Sequence, residues 1–390
     1  MVQFEEWQIK RERKPGEEFI WTPGEDSVRA ELSGIRYTAV EFARISKSIS
    51  GNSFYRISYE KEEKNLSVKV IYGWLDEKGE NLARGYADNG QSIVSPEEAV
   101  FLELCVLFFS YEKGEGEVRN LKAEYLGEYE PKPVKLATVA LDYFNQTIPV
   151  SREYNLNSNL EKIDELCNAE SPDIIVLTET FYTRKTLLPV RECALGEDSE
   201  PIRLVRERAK KYNTYIAFSF HEVENGVYYN TAFLIDRKGE IAGKYHKSHL
   251  TMAEREAGMA PGSEIKVFDT DIGRIAIPIC WDLFFPGYAM EITKQKVDII
   301  CHPTAGFLDF RMCQRAKECG AYLIVSTVHD YSASAIYGPN GMRLTDASEH
   351  NGYGVVEVDM NKPVYTYWQS YPADTDGTNI YRNESRWDLY

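Results

Sequence analysis

The sequence predicts an α/β layered domain behind an all-β sandwich, and three observations carry that expectation. Over residues 1–130, short strand-like runs alternate apolar and polar side chains between Gly-, Asn- and Asp-containing turns. From Val134 onward, strands and amphipathic helices follow one another instead. Between the two, Pro131-Lys132-Pro133 forms a short stiff stretch that places the boundary, giving domains over 1–130 and 134–390. A chain of 390 residues is also longer than one ordinary domain.

In the first domain the strands are expected at Ser53 to Glu60, Leu66 to Gly73 and Phe101 to Tyr111. Turns such as Asp76-Glu77-Lys78-Gly79 and Asp88-Asn89-Gly90 separate such runs, the spacing of a β-sandwich. In the second domain Val134 to Leu141 reads as a strand. Asn155 to Ala169 then carries Leu156, Leu160, Ile163 and Leu166 at helical spacing. Asp173 to Leu177 is a strand, Glu200 to Lys211 a charged amphipathic helix, and Thr214 to Ser219 a strand. Tyr229 to Asp236 and Gly239 to Tyr245 flank the turn Asp236-Arg237-Lys238-Gly239 as a hairpin. Further strands are expected at Arg274 to Cys280, Asp298 to His302 and Tyr322 to Thr327, with helices between.

Composition excludes several functions. Hydrophobic residues make up 43% and aromatics 13%, ample for packed cores and against global disorder. A net charge of -16 argues against nucleic acid or an anionic membrane as partner. No apolar run of about 18 residues predicts a membrane span. Met1 to Lys14 is charged and lacks the apolar core of a secretory signal, so a cytoplasmic location is expected unless a leader was trimmed. The seven cysteines, at 105, 167, 193, 280, 301, 313 and 319, fit reduced buried thiols better than a disulfide framework. Cys301-His302, Cys313 and Cys319 lack the paired spacing of a metal site, and no P-loop or Gly-x-Gly-x-x-Gly is present. No cofactor is expected.

Three polar residues stand just past apolar strands: Glu179 after Ile174 to Thr178, Lys247 after the hairpin, and Cys280 after Ile275 to Ile279. A sheet delivers such residues into a cleft. Any one of them alone is more simply a core or solvated residue, so the case rests on the three together. A thiol is a weak nucleophile until it loses its proton, and a carboxylate can take that proton. An ammonium can steady both the thiolate and the charge that develops on an attacked carbon's substituent. The trio therefore points to attack on an electron-poor carbon attached to nitrogen.

The motifs around the trio resemble those of the nitrilase superfamily, the carbon–nitrogen hydrolases. They are Ile175-Val176-Leu177-Thr178-Glu179-Thr180-Phe181, Gly243 to Leu250 around Lys247, and Cys280-Trp281-Asp282-Leu283-Phe284-Phe285-Pro286. Tyr229-Asn230-Thr231-Ala232, Pro261-Gly262, Arg315-Ala316-Lys317-Glu318 and Ser334 to Gly341 support them. The resemblance implies a four-layer α-β-β-α fold, with Glu179 as general base, Lys247 as catalytic lysine and Cys280 as nucleophile. It also implies a second glutamate after the lysine, for which Glu254 fits best and Glu256 competes. Trp281 is expected to supply a backbone N–H to the oxyanion. His302, which follows a strand near the cleft, is a candidate to line the pocket, although a hydrogen-bonded structural histidine explains it better.

The implied reaction is hydrolysis of an amide or N-carbamoyl compound through a thioester, releasing ammonia or an amine. The Cys-Trp-Asp form favours the amidase branches; a true nitrilase on the same site, or a non-catalytic binding protein with a degenerate hydrolase domain, are the alternatives. A homodimer or higher oligomer is implied. Gly287, where many relatives carry an acidic residue, and Cys319, in place of an asparagine, are departures that bear on the pocket. Residues up to about 130 resemble the jelly-roll sandwiches of carbohydrate-binding modules, through Gly73 to Gly79, Ile93 to Ala99 and Phe101 to Phe109. Trp21, Tyr55, Trp74 and Tyr86 are then candidates for stacking on a sugar, although strand alternation already explains them as core.

Overall fold

The structure, a computed structural model, describes all residues except 13–18, 33–37, 111, 142, 144–145, 307, 367–373, 377–379, 329–330 and 386–390. The chain divides into two compact units, Lys132–Met360 and a second that joins Met1–Pro131 to Asn361–Tyr390. The residues beyond Met360 thus group with the first domain, whereas the sequence placed them with the second. Their strands explain the grouping: Asp374–Asp376 pairs in parallel with Asn81–Tyr86 and antiparallel with Tyr365–Thr366.

The first unit is a β-sandwich. One sheet orders Gln8–Glu12, Thr38–Ile45, Phe101–Ser110, Ser67–Leu75 and Asn81–Tyr86, followed by the two strands of the tail. The other orders Phe19–Pro23, Val28–Leu32, Gly114–Glu128, Ser53–Lys64 and Ser92–Val94. Val28, Ala30, Leu32, Phe42, Val70, Tyr72, Leu104 and Phe108, contributed by both sheets, form the core between them. The candidate sugar-stacking rings belong to packed clusters instead. Tyr55, Trp74 and Tyr86 are buried, and Trp21 stacks on Phe42 at 4.9 Å. Buried rings cannot also stack on a ligand, so Tyr55, Trp74 and Tyr86 are structural residues, as strand alternation already suggested, while Trp21 is only partly buried.

The second unit has the four layers expected. One sheet orders Ile241–His246, Val227–Ile235, Tyr215–Glu224, Ile174–Val176, Pro133–Val139 and Tyr353–Asp359. The other orders Val267–Thr270, Gly273–Ala276, Ile299–Pro303, Tyr322–Ser326, Ala335–Tyr337 and Arg343–Asp346. Helices Arg152–Glu170 and Glu200–Tyr212 cover the first sheet, and Pro286–Lys294 packs with Asp309–Cys319 on the second. Ile174–Val176 in the first sheet and Ile299–Pro303 and Tyr322–Ser326 in the second are fully buried, as in parallel sheets covered on two faces. Leu160, Ile163 and Leu166 meet Ile175, Phe218 and Phe233 in the core under the first helix pair. Ser151 starts the first helix by accepting from Tyr154 N–H, and Ser171 ends it in a left-handed conformation.

The two sheets are joined by hydrogen bonds as well as packing. Thr138 Oγ1 donates to the Val325 carbonyl at 2.7 Å, and Thr178 Oγ1 to the Thr304 carbonyl at 3.2 Å. This stitching lies where the parallel strands end, and it fixes the depth at which their following residues emerge. Among the described residues, no helix is long and apolar enough to cross a membrane. All seven cysteines are free, with Cys313 half-buried and the others buried.

Candidate active site

Glu179, Lys247 and Cys280 leave three different strands of the two facing sheets. Leu177 N–H still pairs with the Ala217 carbonyl at 2.9 Å beyond its strand, and the chain then turns at Thr180, whose φ is 49°. Ser219 Oγ accepts from Thr180 N–H at 2.7 Å and holds that turn. The loop puts Glu179 inside the protein with only 4% of its side chain exposed. Lys247 follows Ile241–His246, its N–H bonded to the Asn230 carbonyl at 2.9 Å and its carbonyl accepting from Gly262 N–H at 2.9 Å. Gly262 is required there, since a Cβ would stand 2.1 Å from the His246 carbonyl oxygen.

Cys280 opens the short 3-10 turn Cys280–Phe284 with φ at 43°, a left-handed conformation that costs a non-glycine residue about 1–3 kcal/mol. Its surroundings must enforce that conformation, and Asp282 is the residue that does so. Asp282 is fully buried. Its Oδ2 accepts from Ile279 N–H at 3.0 Å and Tyr245 OH at 2.8 Å. Its Oδ1 accepts from His249 N–H at 2.8 Å and Ser248 Oγ at 3.1 Å, with His249 Nδ1 at 3.0 Å. One carboxylate therefore ties the Cys280 turn to the segment that carries Lys247. Arg315 supports the same turn, donating to the Leu283 carbonyl at 2.9 Å.

Lys247 is the hub of the charges. Its side chain is 1% exposed, and Nζ lies 2.9 Å from Glu179 Oε1 and 2.9 and 3.0 Å from the two oxygens of Glu254. Glu254 is thus the glutamate that meets Lys247, while Glu256 is exposed on the same short helix, Met252–Glu256. Glu254 is itself locked by a capping box: Thr251 N–H and Oγ1 donate to its Oε2 at 2.8 and 2.9 Å. Asn230 Nδ2 donates to Glu179 Oε1 and Glu254 Oε1, both at 2.9 Å, closing a diamond with the ammonium. Arg184 Nη2 reaches Glu179 Oε2 at 3.1 Å, and its Nε reaches the Glu179 carbonyl at 3.1 Å.

These contacts set protonation. Burial alone would raise the Glu179 carboxyl, but Lys247 and Arg184 outweigh it and hold the group below the ordinary carboxylate range. Burial likewise opposes the Lys247 charge, and Glu179, Cys280 and Glu254 overcome it and hold the ammonium protonated. Burial and the neighbouring Glu179 push the Cys280 thiol up, only partly countered by Lys247 and by hydrogen bonds from Thr304 and Ala305. The resting site is a neutral thiol beside an ionised carboxylate.

The remaining expected residues stand differently. Trp281 is 39% exposed and lies against Phe284 at 5.0 Å and edge-on to Phe285 at 5.6 Å. His302 does not face an opening: it is 0% exposed, and its Nδ1 donates to the Pro278 carbonyl at 3.0 Å, bracing the chain two residues before Cys280. Burial lowers its pKa to about 4, so the ring is neutral. Gly287 is exposed with open space where a Cβ would be. Cys319 is buried with Sγ 3.7 Å from the Ala289 carbonyl, so it packs the helix pair rather than polarising a pocket.

Sequence reasoning missed Asn230, Arg184 and Asp282. Asn230 and Asp282 stood inside the quoted motifs, and Arg184 lies five residues after Glu179, but no spacing rule announces their partners. Among the described residues, Glu222, Glu224 and His246 form a group compact enough for a metal, with ligand atoms within 4.8 Å of one another. Lys244 already occupies it, its Nζ 2.7 Å from Glu222, 2.8 Å from Glu224 and 2.8 Å from Glu197. An ammonium among these carboxylates does the work a cation would do.

Residues 135–364 match the family model for carbon-nitrogen hydrolases, more than half of the chain. The probable hydrolase YhcX of Bacillus subtilis is 36% identical over 205 residues, 46% of this chain and 40% of that protein. The citrullinase of Francisella tularensis is 33% identical over 184 residues, 44% of this chain and 61% of that one. The N-carbamoylputrescine amidase of Solanum tuberosum is 35% identical over 182 residues, 44% and 59% respectively. The chain spans less than two thirds of the length of each of these three relatives. In fold it is similar to Saccharomyces cerevisiae Nit3, with a TM-score of 0.53 at 20% identity over 58% of this chain and 90% of that one. It is likewise similar to an amidase from Nesterenkonia, with a TM-score of 0.52 at 19% identity over 66% and 94%. By this match over its layered domain, and by the motifs that fold into it, the chain belongs to the carbon-nitrogen hydrolases of the nitrilase superfamily.

Proposed function

We propose that this chain hydrolyses a small amide or N-carbamoyl compound through a Cys280 thioester, with Glu179 as general base. The observation that carries this reading is the Lys247 ammonium, 2.9 Å from both Glu179 and Glu254, beside a nucleophile whose turn is held in a left-handed conformation. The names of the relatives support the substrate class, since two of them are a citrullinase and an N-carbamoylputrescine amidase.

The thiol and carboxylate are held far apart in basicity, so a standing thiolate is not the starting point. Proton transfer to Glu179 becomes favourable only as sulfur commits its electron pair to the new C–S bond. The carbonyl π pair moves to oxygen as that bond forms. Lys247 carries three N–H donors; with one on Glu179 and one shared between the two oxygens of Glu254, the third is left for the oxyanion. The Trp281 backbone N–H is the other donor. Collapse of the tetrahedral adduct expels the amine or ammonia, which takes the proton that Glu179 accepted. Water attacks the thioester with Glu179 again taking a proton. The second collapse returns that proton to sulfur and frees the acid.

An ammonia-release screen over amides, N-carbamoyl compounds and nitriles, with Cys280→Ala as blank, tests the reading. Release from the first two classes is expected. The proposal is lost if no compound exceeds the blank and Cys280 is alkylated no faster than the half-buried Cys313. Release from nitriles alone would move the assignment to a true nitrilase. The paired oligomer implied by the family resemblance is tested separately, by the mass in solution, where a dimer or larger is expected.

A further inference from the structure

The two oxygens of Glu179 are not equivalent, and the difference assigns a role to a residue outside the motifs. Oε1 accepts from Lys247 Nζ and Asn230 Nδ2, both at 2.9 Å, which uses its two lone-pair directions. Among the described residues Oε2 accepts from Arg184 Nη2 alone, at 3.1 Å, and keeps one direction open. The same guanidinium donates through Nε to the main-chain carbonyl of Glu179 at 3.1 Å. Arg184 thus bridges the backbone and side chain of one residue with a rigid fork, which fixes the carboxylate's rotation.

The loop is built to hold that fork in place. Thr180, Lys185 and Leu187 all have left-handed φ, at 49°, 60° and 60°, a concentration of strain that surrounding bonds must sustain. Asn155, fully buried on the first helix of the hydrolase unit, donates to the Tyr182 carbonyl at 3.1 Å and the Arg184 carbonyl at 2.7 Å. Tyr143 OH donates to Asn155 Oδ1 at 3.0 Å and fixes the amide's orientation. Thr183 Oγ1 lies 2.8 Å from His221 Nδ1. Every bond in this chain ends at the segment carrying Arg184.

We propose that Arg184 is a positioning residue for the general base, turning the open lone pair of Glu179 Oε2 toward the Cys280 thiol and, through its charge, setting the acid side of the site's reactivity. The proposal rests on Glu179 being the base for Cys280. The other groups that face Glu179 are Lys247, Cys280, His221 and His302, with Glu254 across the shared donors. Lys247 is 1% exposed and locked by both glutamates, whereas Arg184 is 21% exposed and bonds to Glu179 alone among their carboxylates. Arg184 is therefore the cation whose removal changes the base without dismantling the diamond.

The test is alkylation of Cys280 by iodoacetamide on the full chain, followed by mass from pH ~2 to ~7, a range that reaches below ordinary carboxylate titration. Sulfur displaces iodide, and the thiol proton passes to Glu179. Arg184→Met is expected to slow the reaction and move its acid inflection up by about one to two pH units, the effect of removing an adjacent opposite charge. Arg184→Lys keeps a charge but loses the fork, so its inflection stays near that of the parent while its rate falls. An unchanged inflection in Arg184→Met overturns the proposal, whether that variant is merely less stable or shows only a raised KM for substrate. Glu179→Gln must abolish the inflection in the parent; if it does not, Glu179 is not the base and the proposal falls with that assignment. Should the inflection move while no compound in the ammonia screen is turned over, the hydrolase reading fails and the role of Arg184 stands.

Discussion

Replacing Asp282 by Asn tests whether one buried carboxylate joins the nucleophile turn to the lysine segment. The exchange is nearly isosteric, so packing is unchanged and only hydrogen bonding is altered. Oδ2 now accepts from Ile279 N–H, and Oδ1 from His249 N–H, at 3.0 and 2.8 Å. An amide has one acceptor atom and one donor group. Whichever way it flips, its NH2 must point at one of those two backbone N–H groups, and neither can rotate away. Tyr245, Ser248 and His249 can re-aim their protons, so their loss is smaller. One charge-assisted bond is lost and one buried donor is orphaned, a cost of about 2–4 kcal/mol. For a unit of this size that corresponds to a fall in Tm of about 5–15 °C. Differential scanning of the full chain measures it, with Tyr245→Phe, which removes one rotatable donor, expected to cost about 1 kcal/mol. The same change frees Cys280 from its left-handed turn, so alkylation of Cys280 should slow at least tenfold at a temperature where the variant is fully folded. If Asp282→Asn melts within a degree or two of the parent and keeps its thiol reactivity, the clamp is not what holds the nucleophile.

Other outcomes follow from the same contacts. Gly262→Ala drives a Cβ to within 2.1 Å of the His246 carbonyl, backbone against backbone, so it should displace the Lys247 segment and lower both Tm and activity. Glu254→Gln keeps the capping shape but leaves the buried Lys247 with one carboxylate partner, and a loss of hydrolysis of at least a hundredfold is expected with KM little changed. Because Glu179 titrates lower in the folded protein than in the unfolded chain, the unfolded state takes its proton first. Its stabilising contribution is complete above about pH 4.3 and fades as pH falls from there toward the folded value. Glu179→Gln should therefore flatten the acid side of a denaturant-midpoint profile, and an equally steep profile in the variant would contradict the assignment.

The trio was legible because each member follows an apolar strand, and strand ends are where an α/β sheet exposes side chains to a cleft. The order Ile174-Ile175-Val176, then Glu179, fixes direction and depth without any knowledge of the partner strands. Glu254 was separable from Glu256 only through the family pattern; in three dimensions the capping box with Thr251 turns one inward and leaves the other on the surface. What stayed hidden were residues whose meaning lies in two partners at once. Asn230 reads as a strand residue until Glu179 and Glu254 arrive on either side of its amide. Asp282 reads as the polar neighbour of a cysteine until the Tyr245–His249 segment closes over it. Of the two readings of His302, the structural one describes its fully buried ring, which spends its donor on the Pro278 carbonyl. The tail escaped for a simpler reason, since the strands Tyr365–Thr366 and Asp374–Asp376 are two and three residues long and carry no periodicity to detect.

The arrangement of donors around the two glutamates also explains why a lysine, and not a histidine, can serve this cysteine. A thiol paired with imidazole rests partly as thiolate and imidazolium, which requires the base to titrate near the thiol. Here both histidines that feel Glu179, His221 and His302, are pushed down to about 4 by burial and cannot hold a proton at neutral pH. In the proposed mechanism the carboxylate takes the proton instead, but with Lys247 and Arg184 against it Glu179 is a poor base until negative charge leaves sulfur for the substrate. That ties deprotonation to bond formation: an unproductive small molecule in the cleft does not draw out the proton, whereas a polarised carbonyl carbon does. In that mechanism Lys247 both lowers the basicity of Glu179 and steadies the oxyanion, so removing it should raise background thiol reactivity at neutral pH while abolishing turnover. Lys247→Met separates the two effects. Turnover should vanish and Glu179 should become a stronger base, and a variant that lost both turnover and every trace of Cys280 alkylation would show that the lysine is needed to form the thiolate at all.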